Sequence, residues 1–293
     1  MRYSIQRTIL PLVAITLGLC ACRKSELHPD DHGLGVSSYY EDNTDNANSA
    51  DDIKLFIFNS ASGDLVTKAS WDDTRRLADT LFRVVPGDYT LIAAADLVSP
   101  FAISSEAKAD EIRLTVREVP DFHAYFGVAQ ITVTDASVIT RADIYYRRIL
   151  PELVIEFDGF PQGVKADAVE INGAEYILPA GKDQDNRFGL PSADYRDIAL
   201  EQMTISSGAQ ESRVFRLPPT AHGYNASLFR ITLTHPDGHV TVCEVEAPRM
   251  EIAGKYMMML KYSEMKSYIR LSPFEINGWT EGWSYSGTVT DPD

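Results

Sequence analysis

The chain has 293 residues, 44% of them hydrophobic and 10% aromatic, with a formal net charge of −15. That apolar content is enough for a packed core and excludes a wholly disordered chain. So acidic a surface argues against nucleic acid as a partner, because phosphate binding needs clustered Lys and Arg.

The first element is a leader. Arg2 and Arg7 precede an uncharged run from Ile9 to Leu19 that Pro11 interrupts. A spanning helix needs ~20 apolar residues, so this run is too short to cross a membrane. A basic start, a short apolar centre and small residues at the end read as a secretory signal. Leu19-Cys20-Ala21-Cys22 resembles the lipobox of bacterial lipoproteins, which makes residues 1–21 the signal peptide and Cys22 the lipidated first residue. Cys20 fits the motif worse, since bulky Leu19 would fill the cleavage position. As a metal signal a lone Cys-x-Cys is weak, and no second pair completes a site; no metal, cofactor or catalytic residue is expected. One acyl chain holds a protein marginally, whereas several, at ~0.8 kcal/mol per buried CH₂, anchor it stably. The resemblance implies several, and Arg23 in place of aspartate after the cysteine implies the outer membrane, with the protein facing the cell surface.

Residues 22–51 are rich in Asp, Asn, Ser and Gly and read as an acidic flexible tether, with Tyr39 and Tyr40 touching the first domain. An N-terminal β-sandwich is expected over 52–149. In "DIKLFIFNSASGDLV", Ile53, Leu55 and Ile57 share a strand face before a Ser-Gly-Asp turn. "DDTRRLADTL" (72–81) carries one short helix, capped by Asp72 or Asp73. "TLFRVVPGDYTLIAAA" and "EIRLTVREV" follow, the latter alternating Ile112, Leu114 and Val116 with polar residues. "FGVAQITVT" and "VITRADIYYRRI" keep the period of two.

After Pro151 the pattern restarts at "ELVIEFDGF", the opening strand of a C-terminal β-sandwich over 150–293. Around His235, Phe229, Ile231 and Leu233 line one side of a hairpin, and Arg230, Thr232 and Thr234 the other. Cys243, inside "VTVCEV", is expected to be a buried small apolar side chain with no disulfide partner. Many short strands cut by Gly and Pro turns make the chain all-β, two β-sandwiches in series.

Chemistry-bearing motifs are few. "HPDDH" (28–32) and "HPDGH" (235–239) each space two histidines four apart, but neither context is helical, and the second is a Pro-Asp-Gly turn. No serine stands on a Gly-flanked elbow. A carboxylate pair spread over distant strands would leave no local trace. Met257-Met258-Met259 alternates within a strand whose two faces are expected to be covered.

Four strings, "DIKLFIFNSASGDLV", "LFRVVPGDYTLIAAA", "RRILPELVIEFDGFP" and "EINGW", follow the lipobox and acidic spacer. Together these resemble the FimB/Mfa-type fimbrial anchor (minor fimbrial subunit) family of Gram-negative anaerobes. The most specific parts are the strand-turn-strand at 52–66 and Val85-Pro86-Gly87-Asp88-Tyr89. One departure is Ala93-Ala94-Ala95, where family members often carry an aromatic. The resemblance implies transthyretin-like or Ig-like β-sandwiches and a non-enzymatic base subunit, held by acylated Cys22 and joined to pilin subunits by strand addition. In such pili, stalk subunits are matured by Arg/Lys-specific cleavage of an N-terminal segment. No Lys or Arg lies between Ser25 and Ile53, so that stretch of the tether offers no such site; the basic residues flanking it are Arg23 and Lys24 beside Cys22, and Lys54 and Arg75-Arg76 beyond it. The tail "NGWTEGWSYSGTVTDPD" is expected either to supply a final strand through Trp279, Trp283 and Tyr285 or to be an extended segment offered to the next subunit. The alternative function is a surface lipoprotein that binds glycan through Trp71, Trp279 and Trp283.

Mass spectrometry of the mature protein should find Cys22 acylated at the N-terminus. An unmodified chain starting at residue 23 or later would overturn the lipoprotein assignment.

Overall fold

A computed structural model describes residues 33–41, 52–104, 107–205 and 211–262, with the backbone of 269–271 and 289–290. Cys22, the leader, the His28/His32 pair, most of the tether, and Trp279, Trp283 and Tyr285 lie outside the described residues. Among those described, the architecture is all-β, and no helix is long and apolar enough to cross a membrane.

The first half of the chain supplies β1 (Gly33–Tyr40), β2 (Ile53–Asn59), β3 (Leu65–Trp71), a single-turn helix α1 (Thr74–Ala78), β4 (Leu81–Phe82) and β5 (Gly87–Ala95). After these come β6 (Phe101–Ile103), β7 (Leu114–Val116), β8 (Tyr125–Val133) and β9 (Ile139–Arg148). Seven of them run in the order β3-β2-β5-β8-β9-β1-β4. β8 and β9 pair only at Tyr125–Arg148 and Phe126–Arg147, so the ribbon turns a corner there and its two parts face each other. Between them lies a core of Leu34, Val36, Ala142, Ile144 and Tyr146 against Ile53, Leu55, Ile57, Leu91 and Ala93, closed by Leu77 of α1. Asp73 caps α1, its carboxylate accepting from Arg76 N at 2.9 Å.

The second half supplies β10 (Glu152–Asp158), β11 (Lys165–Ala174), β12 (Tyr176–Lys182), β13 (Phe188–Pro191), β14 (Tyr195–Ala199), β15 (Met203–Thr204) and β16 (Glu211–Arg216). β17 (Ala226–Thr234), β18 (Val240–Pro248), β19 (Lys255–Tyr262), β20 (Ile269–Leu271) and β21 (Val289–Thr290) complete it. Sheets β16-β10-β19-β20 and β14-β11-β17-β18-β21 enclose Leu153, Ile155, Phe157, Phe229, Ile231, Leu233 and Met258. Cys243 is a free, buried thiol in this core, its pKa pushed up to about 12 by burial. His235 to His239 form the expected hairpin turn, with His235 N donating to His239 O at 2.8 Å.

Two expectations need correction. Residues 33–40 of the expected tether form β1, paired along their length with β9. "GLGVSSYY" carries only two aliphatics, Leu34 and Val36, so composition hides a strand whose apolar partners lie far along the chain. The boundary at 149/150 is also crossed. β12 and β13, from the second half, continue the sheet of β7 and β6 in the order β13-β12-β7-β6. Ile177 thereby packs with Ala94, Leu114, Val116 and Phe126, covering the outer face of β5 and β8. Phe56, Phe58 and Ile92 meet Ile112 on the same side.

β5 is therefore clamped between two layers, and this accounts for the alanine run. Ala93, Ala94 and Ala95 are all fully buried, Ala93 and Ala95 facing one layer and Ala94 the other. Opposite Ala93 stands Gly127, where a Cβ would come within 2.5 Å of the Ile144 side chain and the Tyr145 carbonyl. The backbones approach too closely there for an aromatic ring.

One buried group breaks the pattern. Glu170 of β11 sits at a bulge, fully buried, with neither carboxyl oxygen hydrogen-bonded. Burial drives its pKa well above the ordinary carboxylate value, so it is the neutral acid that the fold holds. A folded-state pKa raised above the unfolded ~4.3 gives a contribution complete below that pH and lost as pH rises toward the folded value. Glu170→Gln should remove the loss. Unfolding free energies from urea titrations should fall for the wild type relative to the variant between pH 5 and pH 8, by up to about 1.4 kcal/mol per pH unit. Parallel pH profiles for both proteins would contradict this.

Candidate functional site

Strand β1 is the feature with functional geometry. It lies inside its sheet, between β9 and β4, although it comes first among the described strands. Its ladder with β9 is parallel and runs unbroken from Gly33–Ile139 to Tyr40–Tyr146. On its other edge only Leu34 and Gly35 are paired, with Phe82 and Leu81 of β4. Parallel neighbours cannot be joined by a tight turn, so everything between Tyr40 and Ile139 is a crossover. The strand is thus held by backbone pairing and burial and not by a local hairpin.

Alternation explains how it sits. Leu34 and Val36 point inward and are wholly shut from solvent; full burial of such a side chain is worth about 1.5–3 kcal/mol. Tyr40 packs edge-on to Tyr125, ring centroids 4.6 Å apart, and also meets Tyr146. Its hydroxyl donates to Asp96 Oδ2 at 3.5 Å, and burial, with Asp96 adding to it, raises its pKa. Tyr39 points outward and stacks on Tyr145 of β9 at 5.6 Å. At the entry, Gly33 has φ 128°, and a Cβ there would collide with the Phe82 carbonyl. Glu41 N donates to Tyr146 O at 2.8 Å at the exit.

The far end of β9 is locked by a charged junction. Arg148 Nη1 donates to Glu152 Oε2 at 2.9 Å and its Nη2 to the Ala253 carbonyl at 3.1 Å. Glu152 Oε1 lies 3.0 Å from His123 Nε2 and 3.5 Å from Arg216 Nη2. Burial alone would raise the Glu152 pKa, but His123, Arg148 and Arg216 outweigh it and hold the carboxyl below its ordinary value. Burial, together with the nearby Arg216 charge, lowers the His123 pKa. This cluster fixes β9 against β10, β16 and the loop before β19, so the strand that receives β1 is rigidly placed.

Sequence-derived site residues fall as follows. Trp71 packs edge-on against Phe82 at 5.9 Å as part of the first core, so it is no open platform for a sugar. His235 and His239 have ring centroids 5.6 Å apart at an exposed turn. Among the described residues, no group of His, Cys, Asp or Glu is placed to hold a metal ion. Arg75 and Arg76 are exposed on α1, whereas Lys54 lies within β2. Composition reading missed β1 altogether; the alternation of Leu34, Val36 and Tyr40 was the available signal.

No protein-family model and no curated protein sequence matches the chain. Its fold is shared with solved structures. The fimbrial anchor protein Mfa2 from Porphyromonas gingivalis superposes with TM-score 0.56 at 13% identity, over 86% of this chain and 98% of that one. A DUF1812 protein of Bacteroides thetaiotaomicron, described as a candidate polysaccharide-binding protein, gives TM-score 0.56 at 14% identity over 86% and 98%. A candidate adhesin from Bacteroides ovatus gives 0.50 at 11% identity over 73% and 82%.

Placing a charge in the seat should free the strand. Val36→Asp buries an unpaired carboxylate and should cost roughly 3 kcal/mol or more. Hydrogen exchange should then rise across 33–40 and 139–146 while β17 and β18 keep their protection. Unchanged exchange at 139–146 would show that β1 does not hold β9.

Proposed function

We propose that this chain is the lipid-anchored base subunit of a cell-surface fimbria. In this reading acylated Cys22 ties it to the outer membrane at the cell surface, and pilin subunits join it by β-strand addition. The observation that carries the proposal is β1. It is an N-terminal strand seated in the middle of a sheet, preceded by a leash toward Cys22 that offers no Lys or Arg between Ser25 and Ile53. A protease specific for basic residues has no site there, so β1 stays joined to the lipid end of the chain as long as Arg23 and Lys24, next to the acylated cysteine, are not cut.

Permanent occupancy has a physical consequence. A subunit that keeps its own strand in the groove cannot receive another there, so growth is blocked on that side and the chain acts as a terminus. The likeness in fold to Mfa2 supports the same reading. Exposed Arg75 and Arg76 lie after β3, so a cut there would leave β1 continuous with Cys22, held by its ladder to β9.

Deleting the chain in its host should give fibres that are shed into the medium or grow beyond normal length. Fibres of normal length that remain attached would overturn the proposal.

A further inference from the structure

We propose that the cleft between the end of β9 and the segment linking β18 to β19 is a carboxylate-binding site. Four stretches of chain build it: Arg147 from β9, Asp183 and Arg187 from the turn before β13, His222 from the loop before β17, and Arg249 and Glu251 from the linking segment. It encloses about 60 Å³. Three arginines and a histidine on one small cleft stand out in a chain of net charge −15.

The charges are unequally satisfied. Arg187 pairs with Asp183 at 2.9 Å and with Asp185 and Glu251 at 3.2 Å each, so it takes up the local carboxylates. Arg147 gives its terminal nitrogens to the carbonyls of Phe188, at 3.2 Å, and Ile252, at 3.3 Å; its Nε is shut from solvent without a partner. Burial pulls the Arg147 pKa down, with Arg187 adding to the effect and Glu41, Asp183 and Glu251 opposing it. Arg249 forms no ion pair or side-chain hydrogen bond among the described residues, and neither does the His222 ring. Arg147 and Arg249 therefore line the cleft without forming an ion pair among the described residues.

Size and sign select the ligand. A planar monoanion suits two guanidinium groups in so small a space. Asp183 and Glu251 on the same walls repel a dianion, which disfavours phosphate. The carboxylate can come from a free small acid or from the end of an extended peptide, and backbone beside the cleft belongs to β13, an edge strand of its sheet.

The mature chain should be titrated with acetate, with N-acetylglycylglycine, with the amide of that peptide and with inorganic phosphate, following arginine Nε–H signals by NMR. Shifts at Arg147 on adding the free acids, and none with the amide, are expected. Arg249→Gln, which breaks no ion pair or side-chain hydrogen bond among the described residues, should weaken binding about tenfold or more at unchanged Tm. Tighter binding of the peptide than of acetate assigns the cleft to a chain terminus, and equal binding to small acids; both keep the carboxylate. Equal response to the amide, tighter binding of phosphate, undiminished binding by Arg249→Gln, or no shift with any probe would each overturn the site. None of these readouts depends on whether the protein roots a fimbria.

Discussion

The parallel ladder between β1 and β9 is the constraint on which the first half of the molecule depends. It places the first described strand between two strands that follow much later, and so closes the core against β2 and β5. Loop-closure entropy for so distant a contact grows only slowly with length, about 0.6 kcal/mol per doubling. Burial of Leu34 and Val36, at about 1.5–3 kcal/mol each, offsets that cost together with the backbone bonds. A strand held in this way is separable in principle, because nothing but side-chain burial and pairing keeps it in the groove. Covalent continuity on the N-terminal side of β1 is then what would retain it, and no Lys or Arg lies between Ser25 and Ile53.

The layers around β5 carry a second constraint. β2 and β5 are covered on both faces, one by the sheet of β9, β1 and β4, the other by β6, β7 and the hairpin β12–β13. Because that hairpin comes from the second half of the chain, the first set of layers is incomplete without residues beyond 150. The Arg148–Glu152–His123–Arg216 junction ties the same region together by charge. A pulling load entering through β1 would pass to β9, through this junction, into β10 and the second core. Both groups of sheets thus share one mechanical frame.

Much of this was legible beforehand, and the reasons are local. Alternation in "DIKLFIFN" and "EIRLTVREV" reports a period of two that any buried strand must show, and the buried faces are those expected: Ile53, Leu55 and Ile57, then Ile112, Leu114 and Val116. Asp73 capping α1 and the Pro-Asp-Gly turn at 236–238 are short-range chemistry, fixed by a few neighbouring residues. "GLGVSSYY" misleads because glycine and serine suit a flexible linker as well as a strand pressed against neighbouring backbone. Only the partner decides between the two.

Sequence by itself determined the all-β class, the faces of most strands, the buried Cys243 thiol and the expectation of a lipidated Cys22, since each rests on residue type and near neighbours. Tertiary structure alone decided the seat of β1, the sharing of β12 and β13 across residue 150, the tight alanine layer opposite Gly127, and the meeting of Arg147 with Arg249. These depend on contacts between residues tens to a hundred positions apart. Hydrogen bonds between backbones are the same whatever the side chain, so pairing partners leave no mark in the sequence until the whole chain has packed.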